Sequence, residues 1–258
     1  MGIMNRKSGL EMKMMSWKEV EEAIEKGKDT ALIMMGSFEQ HGPHMPLNTD
    51  TIISDELGKR IAQKLEYVLV APTIRPGVSN HHMDFPGTIS FSSELFMGIL
   101  EEYCLSLEKH GVDFIALAPF HGGNFAPTDA IAPKISKKLN EAKILLVSDL
   151  DRNTEVMQES LKESGIEYDE KAIHAGATET SVLLAINEGY VDEERLQKGY
   201  EGSLDETSLF TEGLKHYTDN GVLGDPRKAS KKAGEAILEN LSSDLADRID
   251  EKRKKLMS

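Results

Sequence analysis

The chain carries one cysteine, Cys104, in 258 residues, so an internal disulfide is excluded. Its place in the apolar stretch 96–107 marks it as a small core residue. Long hydrophobic runs are missing too. No segment approaches the roughly 20 consecutive apolar residues that span a bilayer, and the opening MGIMNRKSGLEMKMM lacks the continuous apolar stretch of a secretory signal. A cytoplasmic protein without a membrane partner is the expectation. Positive charge is scarce: 30 Lys and Arg against 44 Asp and Glu leave a formal charge of −14, which repels phosphate backbones and argues against a nucleic-acid partner. A small-molecule substrate is expected instead. Linker-like Pro/Ser/Gly stretches, low-complexity segments and internal repeats are absent as well, so residues 15–258 read as a single domain. Residues 1–14, with Met12 and Met14 near their end, read as an N-terminal extension open to disorder, to which no function is assigned.

What is present is an alternation of strand and helix. Four short apolar runs, at residues 30–35, 67–71, 113–118 and 143–147, are largely continuous rather than alternating, which fits strands covered on both faces in a parallel sheet. Between them the spacing predicts helices over 17–26, opened by a capping box from Ser16 to Glu19, then over 51–65, 92–110 and 127–139. A shorter helix is expected over 180–187. A long polar surface helix is expected over 226–255, with Asp225 as N-cap and Pro226 in its first position. The pattern is that of an α/β layer fold with a mainly parallel central sheet.

In such folds ligands bind beyond the carboxyl ends of the strands, and the polar clusters fall there. The run Gly36-Ser37-Phe38-Glu39-Gln40-His41-Gly42-Pro43-His44 leads to Asp50 directly after the first strand. Ionised groups gathered this closely repel one another unless a cation organises them. The competing reading makes Glu39 and His41 solvated loop residues and Asp50 a helix cap. It loses ground because His121-Gly122-Gly123-Asn124 follows the third strand, and His174-Ala175-Gly176-Ala177-Thr178-Glu179 forms another such cluster. In an extended Glu39-x-His41 segment both side chains point to one side. With Asp50 and His121 they make at least four ligands, of types that suit zinc, manganese or iron. A carboxylate such as Asp50 can bridge two ions, which together activate water and polarise an electrophile. Hydrolysis is the natural reaction class. His174 suits proton transfer at neutral pH, while Thr178 and Glu179 also suit a helix N-cap and first-turn acid. Ser79, His81 and His82 follow the second strand on the same edge. Of the two histidines, one is expected to touch substrate or support a ligand and the other to be exposed. Asn124 is expected to orient His121 or to bind substrate. His110 reads as a helix C-terminal residue, and His44 and His216 as exposed loop residues.

The order Glu39-x-His41-Gly42, Asp50, Phe85-Pro86-Gly87-Thr88, His121-Gly122-Gly123-Asn124, His174-Ala175-Gly176-x-x-Glu179 and Gly221-Val222-x-Gly224-Asp225-Pro226 resembles the creatininase (creatinine amidohydrolase) family over roughly residues 16–236. The resemblance implies a three-layer α/β/α fold, two divalent ions per chain (zinc, manganese or iron) and a homo-oligomer, commonly a hexamer. It implies Glu39, His41, Asp50 and His121 as metal ligands with Asp50 as the bridge, His174 as the proton shuttle of ring opening, and Glu179 as a nearby acid. One departure stands out. Creatininase proper has a glutamate ligand two residues after the histidine that matches His121, where this chain has Gly123; Glu179 is the candidate replacement. The implied activity is attack of a metal-activated water on the carbonyl of a small cyclic amide. Alternatives within the family are a formamide deformylase of a pyrimidine nucleotide, a peptidase of mycofactocin maturation and a ring-opening hydrolase of an oxidised inositol. A catalytically silent metal-binding assembly protein is the non-enzyme alternative.

Overall fold

The computed structural model describes residues 10–170 and 173–258. Its centre is a four-stranded parallel sheet of β1 (Thr30–Met35), β2 (Val68–Val70), β3 (Phe114–Pro119) and β4 (Lys143–Leu146), in the order β2-β1-β3-β4. Every residue of β1 is buried, because its two faces are both covered. Ala31, Ile33 and Met35 point into one core with Phe96, Leu100 and Cys104 of α3 (Ser93–Lys109) and Ile131 and Ile135 of α4 (Gly122–Lys138). Leu32 and Met34 point into the other, against α2 (Thr49–Lys64), α5 (Leu150–Glu163), α6 (Ala177–Ile186) and α8 (Lys231–Met257). The result is the expected three-layer α/β/α arrangement, with free Cys104 in one core. Completing the helices are α1 (Trp17–Glu25), whose Ser16–Glu19 capping box forms as expected, and α7 (Glu206–Glu212).

The strand order decides where a site can lie. From β1 the chain passes to β2 on one side, then crosses to β3 on the other, so the loops leaving β1 and β3 diverge and open a crevice at the carboxyl edge.

Several expectations are corrected. The helix expected from residue 51 starts at Thr49, so Asp50 lies inside its first turn and Asn48, without a side-chain bond, is the N-cap. The one expected from Pro127 starts at Gly122 and carries Pro127 and Pro133 within it. Ser230 rather than Asp225 caps α8; Asp225 and Pro226 open a separate 3-10 turn, Pro226–Lys228. Nor is α8 merely a surface helix, since Ile237, Leu238, Leu241, Leu245 and Ile249 are buried along one face. The polar α5, capped by Asp149, was not expected at all. Of the expected N-terminal extension, residues 1–9 lie outside the described residues, whereas Glu11 bridges to Val70 and Leu10 and Met12 pack on the cores. Among the described residues no helix is long and apolar enough to cross a membrane.

Candidate metal centre

The loop after β1 turns back on itself: Glu39 N–H donates to Leu47 O, and His41 bridges to Met45. It is pinned to the 85–91 segment by Gln40 N–H on Thr88 Oγ1 and Ile89 N–H on Phe38 O. The chain then enters α2, whose first turn carries Asp50 and whose Thr51 hydroxyl donates to Ser37 O. His121 is the N-cap residue of α4, two residues beyond β3. His174 is held by a backbone bridge to Leu223, and Glu179 stands in the first turn of α6. Five separate segments thus deliver Glu39 and His41, Asp50, His121, His174 and Glu179 to one buried place.

Asp50 is its centre. Oδ1 lies 3.2 Å from His41 Nε2 and Oδ2 lies 3.1 Å from His121 Nδ1, while the Ser37 hydroxyl donates to Oδ2 at 2.6 Å. The opposite nitrogen of each ring faces a backbone carbonyl, His41 Nδ1 at 3.1 Å from Glu39 O and His121 Nε2 at 3.0 Å from Val78 O. A ring proton belongs at each carbonyl, which turns a lone pair toward Asp50; metal-binding imidazoles are commonly fixed in this way. Glu179 Oε2 is 3.7 Å from His41 Nε2 and accepts Ala175 N–H at 2.7 Å. Glu39 Oε2 is buried with no hydrogen-bond partner, 3.2 Å from the His121 nitrogen already engaged by Val78. Three groupings, Glu39–Asp50–His121, His41–Asp50–Glu179 and Glu39–His41–His174, each bring their ligand atoms within 4.8 Å of one another.

Without a cation between them, the carboxylates draw protons onto the rings of His41 and His121 instead. Burial opposes charge on His41, yet Asp50, Glu179 and Glu39 outweigh it and raise the ring to about 10. His121 is likewise held well above its ordinary value by Glu39 and Asp50 against the cost of burial. For Asp50 burial works upward, but His41 and His121 hold the carboxyl well below the usual range. Burial pushes Glu179 up to about 7, with Asp50 and Glu39 adding to it against the pull of His41. Three buried carboxylates therefore demand positive charge between them. The donor set, the orphaned Glu39 oxygen and the fixed ring orientations fit divalent cations. On the far side His81, His82 and His174 are all held low, first by burial and then by a neighbouring histidine, His121, His174 and His41 respectively, so they stand neutral.

The family model of creatinine amidohydrolase matches residues 13–249. The chain belongs to the creatininase family. It is 33% identical over 228 residues to the mycofactocin precursor peptide peptidase of Mycobacterium ulcerans (strain Agy99), covering 84% of this chain and 83% of that one. To the creatinine amidohydrolase of Pseudomonas putida it is 27% identical over 252 residues, covering 92% and 95%. A crystal structure of creatinine amidohydrolase superposes with a TM-score of 0.81 at 24% identity, over 95% of this chain and 98% of the other. The protein is therefore a creatininase-family metal-dependent amidohydrolase.

Within this family, the departure at Gly123 has a physical cause in this chain. A Cβ there would overlap the carbonyl oxygen of Val78 and crowd His121 Nε2 to 2.8 Å, so no side chain fits while Val78 holds His121. Glu179 reaches the cluster from the opposite direction. The four residues expected to meet substrate, Ser79, His81, His82 and Asn124, are all buried. Asn124 is fully buried and spends its amide on backbone, accepting Val78 N–H at 3.0 Å and donating to Gly36 O at 2.9 Å, which clasps two loops. Ser79 is buried as well, its hydroxyl 3.3 Å from His121 Nε2. Neither histidine of the pair is exposed: His81 stacks on His121 with centroids 5.7 Å apart, and His82 Nε2 lies 3.4 Å from Glu39 Oε1. His44, expected exposed, is buried with Nε2 3.0 Å from Thr180 Oγ1. Glu39 and His41 do converge, but not by simple alternation, because Gln40 between them also turns inward, 3.0 Å from His82 Nδ1 and 2.7 Å from His174 Nε2. That residue was missed, and its only signal was its place between two candidates. Also missed was Glu170, buried, which accepts from the backbone N–H groups of Ala177 and Thr178 and from the Thr178 hydroxyl at the start of α6. Nothing in its polar neighbourhood announced it.

Proposed function

We propose that the protein hydrolyses the amide bond of a small cyclic amide, with Glu39, His41, Asp50, His121 and Glu179 holding two divalent ions of the zinc, manganese or iron type. The reading is carried by one observation, that the two oxygens of Asp50 each face a different, backbone-oriented histidine, as a bridging carboxylate requires. Bound ions would supply a Lewis acid for the carbonyl and an activated water for attack at its carbon. His174 handles the proton. The proton lost by the attacking water as the new C–O bond forms passes through the imidazole to the leaving nitrogen as the C–N bond breaks, so the ring ends as it began. Phe210, more than half exposed, sets its ring edge-on against His81, with centroids 4.7 Å apart, and places an apolar surface beside the histidine cluster. The homo-oligomer that the family resemblance implies is part of the proposal, and sedimentation at micromolar protein checks it directly.

A second reading, cleavage of an amide within a peptide, is favoured by the 33% identity to a peptidase. Turnover assayed on cyclic amides beside short peptides separates the two. The decisive test of the centre is elemental analysis of protein purified without added metal. Close to two ions per chain in the wild type, lost in Asp50→Ala, supports the proposal; no bound metal in the wild type even after reconstitution with zinc or manganese overturns it.

A further inference from the structure

Five imidazoles meet in this centre, yet only His41 and His121 have a nitrogen parked on a backbone carbonyl. His82 and His174 share a different partner, the side-chain amide of Gln40. Which end of that amide meets them is settled locally. Gln40 Oε1 lies 2.9 Å from the backbone N–H of Gly42 and accepts from it. Turning the amide over would place two donors against each other, so Nε2 is the end that faces the rings. Its two hydrogens have two acceptors, His82 Nδ1 at 3.0 Å and His174 Nε2 at 2.7 Å. The side chain has nowhere else to go. Gly221, with φ +74°, lies so close that a Cβ there would overlap Gln40 Oε1, and Thr88 Oγ1 holds the Gln40 backbone from the other side.

An imidazole nitrogen that accepts a hydrogen bond carries no proton, so in each neutral ring the proton sits on the other nitrogen. For His82 that is Nε2, 3.4 Å from Glu39 Oε1; for His174 it is Nδ1, 3.9 Å from the same oxygen. We propose that Gln40 is a positioning residue that fixes these tautomers, so that His82 and His174 offer N–H donors to the reaction site and are kept from ligating metal. The assignment rests on the hydrolase reading only for its use in catalysis; the proton positions follow from the hydrogen bonds alone. It sorts the cluster by role. The Glu39–His41–His174 grouping, close enough to hold an ion by distance, lacks a lone pair at His174 Nδ1. The same bond presents His174 Nδ1–H to the reaction site as a hydrogen-bond donor.

The test is nuclear magnetic resonance of the full-length chain labelled with nitrogen-15 at histidine, in metal-free and zinc-loaded forms, with His82→Gln and His174→Gln used to assign the rings. In the wild type His174 should show a pyrrole-type Nδ1 and a pyridine-type Nε2, and His82 the reverse. Gln40→Glu keeps an acceptor for Gly42 N–H and replaces the donor with an oxygen, so at least one of the two rings should exchange its nitrogen types. Gln40→Leu should leave both without a fixed preference, with metal content unchanged. A wild-type His174 protonated at Nε2, or a Gln40→Glu spectrum identical to wild type, overturns the proposal. The wild-type spectrum decides even where a variant fails to fold. Fixed tautomers in a protein that hydrolyses no amide would sink the hydrolase reading and leave this one standing.

Discussion

At the scale of the residue, the roles of Asp50 and His174 separate cleanly. His174→Ala should retain metal at the wild-type level and lower turnover by about 10²-fold or more, the usual worth of a positioned proton donor, as measured by elemental analysis beside steady-state rates. Loss of metal in that variant would make His174 a ligand and reverse the assignment. Gly123→Ala forces a methyl onto Val78 O, and overpacking at a buried backbone contact costs about 1 to 3 kcal/mol, readable as a lower denaturation midpoint. Introducing glutamate there should not create a further ligand, for the same reason. How much of this was legible in sequence follows from chemistry. Glu39, His41, Asp50, His121, His174 and Glu179 declared themselves because charge and imidazole are costly to bury without purpose. Gln40 did not, and Asn124 stood out without its role being legible, since an uncharged amide reads alike whether it bonds backbone, substrate or histidine. His44 misled because a loop histidine beside proline has no periodicity by which to show its burial.

At the scale of the element, strands were read more securely than helix starts. Continuous apolar runs left little choice for β1 and β3, whereas α4 begins at two glycines and carries Pro127 inside, against the preference of proline for a first turn. The polar α5 buries only a narrow face through Val156, Met157 and Leu161, too thin a stripe to register. Glu170 illustrates a contribution that no local pattern reveals. It caps α6 from outside the helix and so fixes the turn between His174 and Glu179. Burial pushes its carboxyl up to about 7 from 4.5 despite three hydrogen bonds that favour the anion. The sign follows. Between these values the unfolded chain has lost the proton while the folded one keeps it, so this group's stabilisation is present below pH 4.5 and falls as pH rises toward 7, by at most about 3 kcal/mol. Chemical denaturation at pH 5 and pH 8 should show the wild type losing stability relative to Glu170→Gln, whose side chain does not titrate. An unchanged difference between the two proteins would mean that Glu170 is ionised throughout.

At the scale of the molecule, the centre joins parts that the sheet alone does not. Glu39, His41 and Asp50 come from the first fifth of the chain, and Glu179 from α6, which packs on α8 across the layer. With repelling carboxylates at this junction, the folded state should depend on the cation that reconciles them. A ligand that binds only the folded chain stabilises it by about 2.7 kcal/mol at a hundredfold excess over its dissociation constant. In a protein of this length each kcal/mol is worth about 2 to 4 °C, so removal of metal by a chelator should lower the melting temperature by about 5 to 10 °C. Zinc or manganese should restore it, and Asp50→Ala should respond to neither. A melting temperature indifferent to chelation, in protein shown to have lost its metal, would mean that the three layers hold the carboxylates together unaided and that the cation serves chemistry without serving the fold.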